Sequence, residues 1–165
     1  MDVDGAQTSL WVQWDRSWSE AETDGAELGF DYNNRMYLST QQEFDKTKYF
    51  TPNMLGGSVE YDVNLSEVGC GCVAALYTVL MPSVDENVDP FGYCDANRIG
   101  GHWCPEFDVM EANMYSFHTT AHKCDAPVDG VYDNCDRGGT CTLNVHENNI
   151  AGDFIPGSTL GIDTN

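Results

Sequence analysis

Short alternations of apolar and polar residues dominate the chain, and long helical periodicity is absent. Between residues 58 and 63, Val59, Tyr61 and Val63 share one parity while Ser58, Glu60 and Asp62 share the other. That is the pattern of a half-buried antiparallel strand. Further short segments bounded by Asn, Gly or Pro predict strands over 27–32, 35–39 and 46–51. The most apolar run is 73–81; composition admits a buried helix, but length and β-branched content favour a central strand. Residues 107–110 are another strand centre, 158–162 a late one, and 85–90 a loop. Trp11, Trp14 and Trp18 are spaced for one face of a short helix or for anchoring a loop, and core packing is favoured over a sugar-stacking platform. No repeat is present. These elements predict an all-β sandwich with long loops.

At 165 residues the chain is expected to be one domain with a sizeable core. Lys and Arg total 7 against 27 Asp and Glu, a formal net charge of -20. Such a surface repels phosphate backbones and anionic lipid, so nucleic acid and membrane partners are not expected, whereas neutral sugars are unaffected. Seven cysteines point to disulfides and an oxidising compartment. None of them has zinc-type spacing, and Cys70-Gly71-Cys72 is too tight for a structural zinc site. Met1 to Gly5 carries no basic region and no apolar run follows, so no signal peptide is expected in this chain. Cysteine usage reads as secreted, and the N-terminus as incomplete or processed.

Glu106, Asp108 and Glu111 place three carboxylates within six residues. Crowded carboxylates repel, so at least one is expected to keep its proton to an unusually high pH, which supplies an acid beside a base. Glycosidic-bond hydrolysis needs that pairing. On a strand, Glu106 and Asp108 project from one face, while Glu111 has the opposite parity. It joins them only if the strand bends or bulges after Met110. The competing reading is a solvated acidic strand. Asp125, Asp129, Asp133 and Asp136 lack the order of a calcium loop and read as a solvated loop. His118 and His146 read as surface histidines, His102 as a turn residue, and Asn64-Leu65-Ser66 as a glycosylation sequon.

The stretch from Gly100 to Cys124, GGHWCPEFDVMEANMYSFHTTAHKC, closely resembles the active-site region of family 7 glycoside hydrolases, the cellobiohydrolases and endoglucanases. The resemblance continues in order through Asn34-Arg-Met-Tyr-Leu38, Glu60-Tyr-Asp-Val63, Cys70-Gly71, Ala75-Leu-Tyr77, Gly92-Tyr-Cys-Asp95, Gly138-Gly-Thr-Cys141, Pro156-Gly-Ser158 and Ile162-Asp-Thr164. It implies a jelly-roll, concanavalin-like β-sandwich over residues 28–165, a partial catalytic domain, with residues 1–27 unassigned. It further implies a retaining β-1,4-glucanase acting on cellulose or related β-glucan, with Glu106 as nucleophile, Glu111 as acid/base and Asp108 tuning the nucleophile. His122, Tyr77 and Asp95 match substrate-binding positions. Cys94–Cys104 and Cys124–Cys141 match two family disulfides, and Cys70 matches a cysteine whose partner lies beyond this chain. Arg98 and Trp103 stand where a third bridge is absent at both ends. No metal or organic cofactor is implied, because the carboxylates carry the proton chemistry. The expected partner is a β-glucan, the protein a secreted monomer.

The chain departs from that family in length, in a shortened segment after Asn97-Arg98-Ile99, and at Val73, where a cleft asparagine is usual. Missing strands would leave sheet edges unpaired. An inactive carbohydrate-binding sandwich and a truncated, non-functional fragment are therefore the alternatives to an enzyme.

Overall fold

An antiparallel strand can hold carboxylates on one side and apolar residues on the other only if its register permits it. Residues 106–113 do both in the longest strand among the described residues. The computed structural model describes residues 2–3, 5–14, 21–23, 27–81 and 89–144. Among these the fold is all-β, with helical structure limited to 3-10 turns. No described helix is long and apolar enough to cross a membrane. The chain divides into two units, Met1–Ser58 and Val59–Asn165.

In the first unit β1 (Asp2–Val3) and β2 (Ala6–Gln7) form a hairpin. β3 (Trp11–Trp14) pairs antiparallel with β6 (Met36–Ser39), and β4 (Ala21–Thr23) with β5 (Leu28–Phe30). Trp11 and Trp14 therefore lie on a strand, three residues apart and on opposite faces, and not on one helical face. Trp18 lies outside the described residues. The strand expected over 46–51 is instead a 3-10 turn, Lys46–Lys48. Asp45 Oδ1 accepts both the Thr47 backbone N–H, at 2.9 Å, and the Thr47 hydroxyl, at 2.7 Å. This local bonding outcompetes a ladder. Only Tyr49 bridges to Ser39, with its ring stacked on Tyr37 at 4.8 Å.

In the second unit β7 (Ala74–Val79), β8 (Glu106–Asn113), β9 (Ser116–His122) and β10 (Cys141–Asn144) form one antiparallel sheet in the order β10-β9-β8-β7. One face is apolar. Leu65, Met110 and Ala112 are buried there, with Val63, Val68, Ala74, Leu76 and Phe117 packed around them. The crossing segment is pinned by the Met114 N–H on the Val68 carbonyl and by Asn113 Nδ2 on the Cys72 carbonyl. Residues 58–63 are not a strand, because alternation specifies faces but supplies no pairing partner. Val63 still reaches the core, while Val59 and Tyr61 stay exposed. The late strand at 158–162 and most of the loop at 85–90 lie outside the described residues.

The structure joins Cys94 to Cys104 and Cys124 to Cys135. The second bond corrects the Cys124–Cys141 pairing implied by the resemblance. Asp129-Gly130, at φ 51° and 81°, turns a hairpin whose Val128 and Val131 pair. Both residues adopt the positive φ that a two-residue hairpin turn demands. The same register carries the Asp125 N–H to the Asn134 carbonyl and sets Cys124 opposite Cys135. Cys141 is an exposed thiol on β10, opposite Ala121, and Cys70 and Cys72 are also free. Non-reducing peptide mapping is expected to recover Cys124 linked to Cys135, with Cys141 alkylated in the native protein. Recovery of a Cys124–Cys141 peptide would contradict the hairpin register.

Candidate functional site

A one-residue bulge in β8 builds the site. Asp108 pairs with Thr120 and Glu111 with His118, so β8 spends one residue more than β9 between those pairs. On the other side Leu76 faces Met110 and Tyr77 faces Asp108, which leaves Val109 without an opposite residue. An inserted residue reverses the parity that follows it. Glu106 and Asp108 precede the bulge and Glu111 follows it, and all three line one cavity of about 450 Å³. Met110 and Ala112 turn to the apolar core in the same step. The bend expected after Met110 is thus found one residue earlier, at Val109–Met110.

The cavity wall also includes Asn97, His118, Thr120, His122, Arg137 and Thr142. His118 stands opposite Glu111 in the ladder and is a cavity residue, not the surface histidine expected from sequence. Arg137, a cation facing a carboxylate cluster, was not legible as a site residue, because its loop returns to the sheet only through the hairpin closed by Cys124–Cys135. His146 lies outside the described residues.

Glu106 is half-buried, and its Oε2 accepts the Ala96 N–H at 3.1 Å. Burial pushes its carboxyl above the ordinary 4.5; the Ala96 N–H opposes this, and the charges of Asp108 and Asp95 reinforce it. Asp108, its side chain only 6 % exposed, is likewise raised from 3.8, first by burial and then by Glu111, against the opposing pull of His122. His122 Nε2 lies 2.9 Å from Asp108 Oδ2, and its Nδ1 lies 2.7 Å from the Asp136 carbonyl. A carbonyl only accepts, so Nδ1 carries a proton. A proton must also lie between Nε2 and Oδ2. The pair is therefore net neutral whether Asp108 is protonated against neutral imidazole or ionised against imidazolium.

Asp136 is fixed in turn. Its Oδ2 accepts the Thr140 N–H and hydroxyl, which hold its carboxyl below the ordinary range. Gly139, at φ 64°, lies against the same imidazole. A Cβ there would sit 2.4 Å from Thr120 Cγ2 and 3.0 Å from His122 Cε1, so only glycine closes this loop over the histidine.

Two expected sugar ligands are placed elsewhere. Asp95 is 3 % exposed; Oδ1 takes the N–H groups of Asn97 and Ile99, and Oδ2 takes the Tyr93 hydroxyl. Its bonding capacity shapes the turn that presents the Ala96 N–H to Glu106. Tyr77 sits beside Asp108 in the ladder with its ring edge-on to Tyr93 at 6.4 Å, and neither Tyr77 nor Asp95 lines the cavity. Among the described residues no group of three or more His, Cys, Asp or Glu side chains is placed to hold a metal ion.

The chain is 32 % identical over 134 residues to an endoglucanase type C of Fusarium oxysporum, an alignment covering 65 % of this chain and 30 % of that protein. A second relative, endoglucanase 1 of Pyricularia oryzae, is 28 % identical over 151 residues, covering 72 % of this chain and 34 % of that protein. The chain spans about a third of the length of the curated relatives it matches. No protein-family model and no solved structure matches it.

His122 holds its proton above the ordinary 6.5: burial opposes this, but the Asp136 carbonyl and the charges of Asp108 and Glu106 outweigh it. The folded state thus binds this proton more tightly than the unfolded chain. The stability it contributes is whole below 6.5 and is lost as pH rises through the higher folded value. Glu106 and Asp108 act with the same sign lower on the scale, since their ionisation penalises the folded state. Urea unfolding is expected to show stability falling from about pH 6 to about pH 8, with a shallower fall in His122→Gln. Equal slopes in the two proteins would contradict the shared proton.

Proposed function

We propose that the chain carries the catalytic strand of a retaining β-1,4-glucanase of the glycoside hydrolase family 7 type, secreted and monomeric, acting on cellulose or a related β-glucan. The observation that carries this reading is the bulge at Val109–Met110, which turns Glu106, Asp108 and Glu111 into one cavity. The endoglucanase names of its relatives and the long ordered resemblance around Gly100–Cys124 support the substrate class. The two disulfides support an oxidising compartment.

In this mechanism the Glu111 carboxyl gives its proton to the glycosidic oxygen while the Glu106 carboxylate attacks the anomeric carbon. The bond to the leaving sugar breaks and a glycosyl ester to Glu106 forms. The Glu111 carboxylate then takes a proton from water, whose oxygen attacks the same carbon and frees Glu106. Two inversions give net retention. The Ala96 N–H holds the Glu106 oxygen and favours its ionised form. The net-neutral Asp108–His122 pair keeps a second negative charge away from the nucleophile. Loss of the His122 proton turns that pair anionic and sets the alkaline limit of the reaction.

Hydrolysis of cellotetraose by the purified chain tests the assignment. Glu111→Gln is expected to lower kcat by roughly 10²–10⁴-fold, and Glu106→Gln by at least as much. The first-formed product is expected to be the β-anomer by NMR. Equal rates in all three proteins, or a first-formed α-anomer, would overturn the mechanism.

A further inference from the structure

The segment tied off by Cys94 and Cys104 has two flanks. Ala96 and Asn97 face the carboxylate cavity, while Arg98, Gly101, His102 and Trp103 line a second recess of about 250 Å³ closed by Tyr132 and Asp133. Trp103 is fixed by backbone bridges to Asp95 on one side and Tyr132 on the other, so the recess is built on paired backbone. Arg98 sits in the left-handed region at φ 64°. The other described non-glycine residues with positive φ are Asn33 and Asp129, types that tolerate it. Glycine would close the same turn without strain, so the backbone gains nothing from an arginine here. What the position keeps is the side chain. Its Nε donates to the Gly101 carbonyl at 3.2 Å, and among the described residues no carboxylate is paired with its outer nitrogens.

We propose that this recess binds one neutral pyranose residue, a second sugar subsite across the loop from the carboxylate cavity. Its volume is below the roughly 300–1,000 Å³ of drug-sized pockets and suits a single ring. Trp103 and Tyr132 line the recess, and aromatic side chains of this kind pack against the C–H face of a sugar. Arg98 donates and Asp133 accepts, which matches neighbouring hydroxyls that do both. Asp133 offsets the charge of Arg98, and the chain's formal charge of -20 disfavours an anionic ligand. The lining alone specifies the ligand, so the subsite does not depend on hydrolysis next door.

The test is an NMR titration of the full chain, in a Glu111→Gln background, with methyl β-cellobioside; the Trp103 indole N–H is assigned with Trp103→Phe. A saturable shift of that resonance is expected, weakened about 10-fold by Arg98→Gly, which suits the observed φ, and by Asp133→Ala on the exposed hairpin. Sodium glucuronate is expected to bind more weakly than the neutral sugar. A still Trp103 beside moving Thr120 and His122 amides would overturn the subsite and leave the proposed function standing. A moving Trp103 beside a still cavity would support the subsite and sink the hydrolytic reading. Unchanged affinity in both variants, or tighter binding of glucuronate, would also overturn it.

Discussion

The site depends on one extra residue. Without the bulge at Val109–Met110, strict alternation would send Glu111 into the apolar face and Met110 into the carboxylate cavity. A buried, unpaired carboxylate costs several kcal/mol, so the unbulged register is opposed by both faces at once. Ladder bonds on either side of the bulge and the packing of Leu65 against Met110 and Ala112 hold it in place. The apolar core and the acidic cavity are two outcomes of the same backbone irregularity.

Three carboxylates on one face then have to be reconciled with one another. The structure uses local hydrogen-bond partners rather than surface charge: the Ala96 N–H donates to Glu106, the His122 imidazole pairs with Asp108, and the Asp136 carbonyl accepts from the far side of that imidazole. The Ala96 N–H and the Asp136 carbonyl come from segments held by disulfides, and glycine geometry seats the second of them on His122. Cys94–Cys104 fixes the turn carrying Ala96, Cys124–Cys135 fixes the hairpin leading to Asp136, and Gly139 allows that loop to lie on His122. Disulfides here position the site's polar partners as well as restrain the chain.

Residue spacing made the β class and the three carboxylates legible, because both rest on local pattern. It also identified the need for a bulge, since Glu106 and Glu111 differ in parity. Long-range pairing was not legible in this way. Residues 58–63 alternate as a strand would, yet nothing in alternation names a partner. Residues 46–51 lost to the side chain of Asp45. The Cys124 pairing was misread although its signal was present: Asp129-Gly130 flanked by Val128 and Val131 marks a two-residue hairpin, and counting outward places Cys135 opposite Cys124. Asp95 and Tyr77 sit close to the site in the structure, but one is consumed by two backbone N–H groups and the Tyr93 hydroxyl, and the other packs on Tyr93.

In the proposed mechanism Glu106 attacks a sugar from a face it shares with Glu111. Incubation with 2,4-dinitrophenyl 2-deoxy-2-fluoro-β-cellobioside, followed by peptide mass spectrometry, tests it directly. The fluorine slows breakdown of a glycosyl ester, so one fluorocellobiosyl group per chain is expected on Glu106. An adduct on another residue, or none on a chain that near-UV circular dichroism shows to be folded, would rule out Glu106 as the nucleophile.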